Sequence, residues 1–238
     1  FSYDLCMENG ADIRFVDANG TPLGFEIEQW NPNGESLVWV NLPTLSSDTT
    51  FVMQWGGSAV SHESSDAWNA NYAGVWHMGE QSGVCFNSTR HGAALNATPK
   101  GNVENSVRYN GPDAPIGGAR TTATSAANGY LSVANYDSLA LGDTFTVSGW
   151  MRMTAATGCA RVFSRKTTYT SSDGWECEMG SGVYDKCSSR GASVTSVAAT
   201  FATSAENNWV HVALVYNGTT LTVFGDGAQL ASGTITAP

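Results

Sequence analysis

The chain has 238 residues, enough for one large all-β domain or two small ones around a real core. Charged residues make up 13%, against roughly 25% in typical globular proteins, so Ser, Thr, Asn and Gly must carry the surface, as suits a secreted or cell-surface protein. The net charge of −10, with no basic cluster to offset it, argues against nucleic acid and anionic membranes as partners, and no apolar run approaches the roughly 20 residues that insert across a bilayer.

Residues 1–65 predict a small β-sandwich-like domain. Asp12-Ile-Arg-Phe-Val16 precedes an Asn19-Gly20 turn, and Phe25-Glu-Ile-Glu-Gln-Trp30 alternates before Asn33-Gly34. Ser36-Leu-Val-Trp-Val-Asn-Leu42 and Thr50-Phe-Val-Met-Gln-Trp55 complete the meander. Ser64 to Tyr72 predicts a short helix at the domain junction, with Ser64 or Ser65 as N-cap.

The second domain is expected over 73–238, opening with Gly74-Val-Trp-His-Met78. From Gln81 to Gly129 the composition predicts long loops, broken by a strand at Ser106-Val-Arg-Tyr109. The strand pattern resumes at Gly129-Tyr-Leu-Ser-Val133 and continues at 144–152, 159–165, 174–179, 183–187, 194–201, 209–216 and 220–225. Asp143 to Trp150 alternates polar and apolar, as a half-buried strand does. Trp209 to Tyr216 is apolar or aromatic on both faces apart from His211, which suits a central strand. Leu221 to Gly227 ends in Asp226-Gly227, a two-residue hairpin signal. Together these predict an all-β, two-sheet antiparallel sandwich.

Five cysteines are present. Cys177 and Cys187 flank a predicted hairpin around Gly182, and that spacing sets them opposite each other, so a disulfide is expected there. No cysteine or histidine spacing makes a zinc signature. His77 and His211, each beside a tryptophan, read as satisfied core or rim histidines. Calcium is the cofactor the loops could take, through Asp113, Asp137, Asp143, Asp173 and Asp185, although turn capping explains the same residues. Asn87-Ser-Thr89, Asn96-Ala-Thr98 and Asn217-Gly-Thr219 fit the glycosylation acceptor pattern.

Sugar recognition needs aromatic faces plus polar groups that orient hydroxyls. Trp175, Tyr169 and Tyr184, with Asp173 and Asp185 beside them, form the candidate ligand cluster, while Trp76, Trp150 and Trp209 read as structural. The competing reading makes Trp175 one more core ring.

Val75-Trp-His-Met78, Gly129-Tyr-Leu-Ser-Val133, Ser138-Leu-Ala-Leu141, Phe145-Thr-Val-Ser-Gly-Trp150, Trp209-Val-His-Val-Ala213 and Phe224-Gly-Asp-Gly227 resemble a laminin-G-like, concanavalin A-like lectin/glucanase domain. Gly10-Ala-Asp-Ile-Arg-Phe-Val16, Leu23-Gly-Phe-Glu-Ile-Glu28, Val38-Trp-Val40 and Met53-Gln-Trp-Gly56 resemble the bacterial domain of unknown function often fused upstream of it. The resemblance implies a jelly-roll sandwich in a bacterial extracellular or cell-surface protein. It implies a non-catalytic role, with a polysaccharide, a glycan or another surface protein as partner. Two alternatives stand beside it: a structural, self-assembling interaction domain, and a glycoside hydrolase of the laminarinase type. The hydrolase needs Glu176 and Glu178, which share a strand face, to line an open cleft roughly 5–5.5 Å apart. Cys177 stands where that motif has an aspartate, and the glutamates are more tightly spaced than in it.

Overall fold

The computed structural model describes residues 1–101, 107–109, 114–122, 129–134, 143–154, 160–168, 170, 173–180, 184–193 and 195–237. These fall into two compact units: the described residues up to 122 together with 129–134, and those of 143–237. Residues 73–101, assigned from sequence to the second domain, cluster here with the first. Among the described residues the fold is all-β, and each helix is a 3-10 turn of three or four residues.

The first unit contains β1 (Arg14–Asp17), β2 (Pro22–Leu23), β3 (Phe25–Gln29), β4 (Leu37–Val40), β5 (Phe51–Gln54), β6 (Ala97–Lys100), β7 (Val107–Tyr109), β8 (Arg120–Thr122) and β9 (Tyr130–Val133). The sheet orders are β2-β1-β5, β3-β4, β6-β9 and β7-β8, every pair antiparallel. The β1–β2 turn forms because Asp17 Oδ1 accepts the Asn19 and Thr21 N–H groups at 2.8 Å, while Gly20 takes φ 84°. Ile13, Phe15, Leu23 and Phe25 make the core under β1 and β3, each worth about 1.5–3 kcal/mol of burial. Asp12 is wholly buried there. Burial alone would push its carboxyl up, but N–H groups of Met7 at 2.7 Å and Gly56 at 2.6 Å hold it below its ordinary value.

The helix predicted over 64–72 is a single 3-10 turn, Ser64–Ala67. Its N-cap is Glu63 rather than a serine, because Glu63 and Asp66 cap each other's backbone reciprocally. The turn delivers Trp68 to β3.

The second unit contains β10 (Phe145–Met151), β11 (Ala160–Ser164), β12 (Glu176–Met179), β13 (Lys186–Arg190), β14 (Ser196–Thr200), β15 (Val210–Tyr216), β16 (Thr220–Gly225) and β17 (Ala228–Thr234). Two four-stranded antiparallel sheets, β10-β15-β16-β17 and β11-β12-β13-β14, form it. Strand β15 is central, and Val210, Val212, Leu214 and Tyr216 alternate into the core. They share that core with Met179, Val197 and Ala199 of the second sheet and with Leu221 and Val223. The β16–β17 hairpin turns on Asp226 (φ 49°) and Gly227 (φ 82°), the positive pair a two-residue type I′ turn requires. Asp226 also takes the His211 N–H on its side chain at 2.9 Å.

Strand β13 starts at Lys186, three residues later than the predicted 183. The register pairs Cys177 with Ser189 and Met179 with Cys187. The two cysteines are therefore diagonal neighbours, not directly opposite, and both are thiols. Both are buried. A hydrogen bond with Cys187 and burial push the Cys177 thiol well above its ordinary value.

Candidate functional site

Of the cluster chosen from sequence, Trp175 is a core ring. It is 7% exposed and packs on Phe145 at 5.2 Å between ring centroids. It precedes β12, whose residues are buried on both faces, so neither ring face is free for a sugar. Tyr169 lies outside the described residues. Asp173 is exposed and accepts the Thr167 hydroxyl at 2.9 Å. Tyr184 and Asp185 use their backbone carbonyls to hold Ala205 and Phe201. Asp113 and Asp137 also lie outside the described residues, and Asp143, Asp173 and Asp185 gather into no metal-binding group; among the described residues no three His, Cys, Asp or Glu do.

Glu176 and Glu178 do share a face of β12, but no cleft opens on them. Glu176 is fully buried and Glu178 is 6% exposed. Arg190 Nη1 donates to Glu176 Oε1 at 2.6 Å and to Glu178 Oε1 at 2.9 Å. Arg161 Nε donates to Glu176 Oε2 at 2.9 Å, and its Nη2 stands 3.8 Å from Glu178 Oε2. Burial alone would lower the Arg190 guanidinium, but the two carboxylates raise it above its ordinary value. Two buried carboxylates are thus neutralised by the buried Arg190 and by Arg161, which is 42% exposed, an arrangement that holds strands together and leaves neither glutamate free as acid or nucleophile.

The outer face of β10 and β15 carries rings that sequence reasoning set aside as structural. Trp150, 44% exposed, pairs across the ladder with His211, their rings edge-to-face at 5.3 Å. One step further along the same face, the Arg152 guanidinium lies 4.9 Å from the Trp209 ring centroid. The signal was in the alternation itself: Phe145, Val147 and Met151 face inward, which puts Thr146, Ser148 and Trp150 outward.

A second polar centre lies in the first unit. Glu26 of β3 accepts Trp68 Nε1 at 2.6 Å, Ser88 Oγ at 2.7 Å and a His77 ring nitrogen at 3.0 Å. The other His77 nitrogen stands 3.3 Å from Glu28 Oε2, which also accepts Trp39 Nε1 at 2.7 Å. The imidazole stacks on Trp39 at 5.4 Å and tilts against Trp68 at 5.8 Å. Burial would lower the His77 value, but Glu26, Glu28 and Glu80 together raise it. Burial would raise Glu26, yet His77, Ser88 and Trp68 hold it low. His77 is thus satisfied, as expected, by carboxylates of β3, outside any strand of its own. Nearby, Asn87 is buried and donates to Thr89 Oγ1 and the Gly92 carbonyl, which removes it from the glycosylation candidates.

Beside this centre is a cavity of about 350 Å³ lined by Glu26, Glu28, His77, Glu80, Phe86 and Gly117, among others.

Comparison with known families gives two matches. Residues 125–238 match the concanavalin A-like lectin/glucanases superfamily, whose members are carbohydrate-binding or hydrolase-type modules. Residues 9–72 match a domain of unknown function (DUF2341). No curated protein and no solved structure matches the chain. Among the described residues no helix is long and apolar enough to cross a membrane. The chain therefore carries, in that order, the domain of unknown function and a domain of the concanavalin A-like lectin/glucanases superfamily.

Proposed function

We infer that this chain is a non-catalytic carbohydrate-binding or adhesive module of a bacterial extracellular or cell-surface protein. The observation that carries this reading is the burial of Glu176 and Glu178 under Arg190 and Arg161. A retaining hydrolase needs one carboxylate free to attack and one free to give a proton; here both are ion-paired out of solvent. The matched superfamily includes both lectins and glucanases, and the engaged carboxylates are what set this reading on the lectin side.

The surface best suited to a glycan is the outward row of Trp150, His211, Arg152 and Trp209. Sugar C–H faces stack on exposed indoles, and flanking donors fix the hydroxyls. The test is a glycan array read with and without a calcium chelator, then calorimetry with any hit. Binding without turnover, abolished by Trp150→Ala and indifferent to Trp175→Phe, is the expected result. Release of reducing ends from a bound polysaccharide would overturn it. An array empty in both conditions would favour the structural, self-assembling alternative.

A further inference from the structure

We propose that the cavity beside Glu28 in the first unit is a receptor for an organic ammonium group. This is independent of glycan binding by the second unit. The cavity, about 350 Å³, falls in the range of small-ligand pockets, roughly 300–1,000 Å³.

The case rests on which polar atoms are already engaged. Both Glu26 oxygens accept bonds, from Ser88 on one and from Trp68 and His77 on the other. Both His77 nitrogens face carboxylates. Glu28 differs. Its side chain is 9% exposed, its Oε2 is engaged by Trp39 and His77, and no donor among the described residues reaches Oε1. That oxygen lies against Gly117, which lines the same cavity and where a Cβ would collide with it. With no protein donor on it, that oxygen is left for a donor that enters the cavity.

Charge points the same way. Glu26, Glu28 and Glu80 contribute three negative charges, against an Arg120 whose Nη2 is 3.9 Å from Glu80 Oε2 and, when protonated, His77. At least one negative charge is left uncompensated even with His77 charged. Glu80 Oε1 accepts the Phe86 N–H at 2.7 Å, and Phe86, 62% exposed, lines the cavity. A cavity lined by both an aromatic ring and carboxylates suits an ammonium, whose donors can meet the oxygens while its charge meets the ring. Calcium is a poorer fit, since it takes six to eight oxygens and gains nothing from a ring.

The experiment uses the full chain and n-butylammonium chloride, with n-butanol as neutral isostere and calcium chloride as the metal arm. Calorimetry gives affinity, and the Trp39 indole N–H resonance reports on Glu28. Saturable binding of butylammonium that shifts the Trp39 signal, with no response to butanol, is expected. Removing one charge-assisted contact by Glu28→Gln should weaken binding about tenfold. Phe86→Ala, at a position 62% exposed where substitutions cost little stability, should weaken it severalfold and decides the matter if the Glu28 variant does not fold. Glucosamine against Nα-acetyl-lysine amide then separates an amino sugar from a lysine side chain as the source of the ammonium. Equal affinity for butanol, unchanged affinity in Phe86→Ala, or tighter binding of calcium at the same site would overturn the proposal.

Discussion

Arg190 and Glu176 face each other across the β12–β13 ladder and hold a 2.6 Å bond with Glu176 wholly out of solvent. The same guanidinium nitrogen reaches Glu178 at 2.9 Å. Removing the cation would leave two buried carboxylates to share the half-exposed Arg161 alone. Arg190→Met should therefore cost about 3–5 kcal/mol of stability, read by urea denaturation. Adding Glu176→Gln and Glu178→Gln should recover part of that loss, because the stranded charges go with them. A triple variant no better than Arg190→Met would show that packing of the arginine stem, not charge, is what matters.

His77 should give the first unit a stability plateau in mild acid. Its value is raised in the fold, so its contribution is complete below about pH 6.5, the ordinary histidine value, and fades as pH climbs through the folded value. Glu26 is lowered, so its share is complete above about pH 4.3 and fades as pH falls through its own folded value. His77→Gln should cost about 2 kcal/mol inside that window and visibly less in alkali. Denaturant melts of both proteins across pH check this; a difference independent of pH would count against the imidazolium.

The two tryptophans of the second unit should separate cleanly. Trp175→Ala empties a core site beside Phe145 and should cost about 3–5 kcal/mol. Trp150 is 44% exposed, and its alanine variant should stay within about 1 kcal/mol of the parent, since surface changes are small. Thermal melts measure both, and glycan binding should follow Trp150 alone.

The thiols make a fourth case. Cys177 and Cys187 are 0% and 3% exposed, whereas Cys6 is partly open. Native alkylation followed by mass spectrometry should label Cys6 and leave the β12–β13 pair unmodified. Labelling after unfolding should then find both as free thiols. A mass two hydrogens short at that pair would mean the strands carry a bond.

The sandwich was readable because one alternating run and one turn signal were written plainly in the chain. Val210 to Tyr216 alternates into the core, and Asp226-Gly227 can hardly be anything but a tight turn. Registers were less accessible. A hairpin centred one position later moved Cys187 from facing Cys177 to facing Met179, and nothing local encodes that step. Polarity also misled at Trp175, where flanking Ser, Asp and Glu suggested a wet surface although the glutamates are buried with arginines. The His77 centre was out of reach for another reason: Glu26 meets Ser88 across 62 positions and His77 across 51, and no spacing rule joins residues so far apart.

The hold of Glu26 on His77 and Ser88 has a practical side. The match to the domain of unknown function stops at 72, yet the groups that keep this carboxylate content lie at 77 and 88. A fragment cut at the family boundary would expose its own seam, with an orphaned acid flanked by two bared indoles. Anyone dissecting this protein should keep everything through 134 together, so that β9 stays on β6, and should expect the shorter piece to clump rather than dissolve.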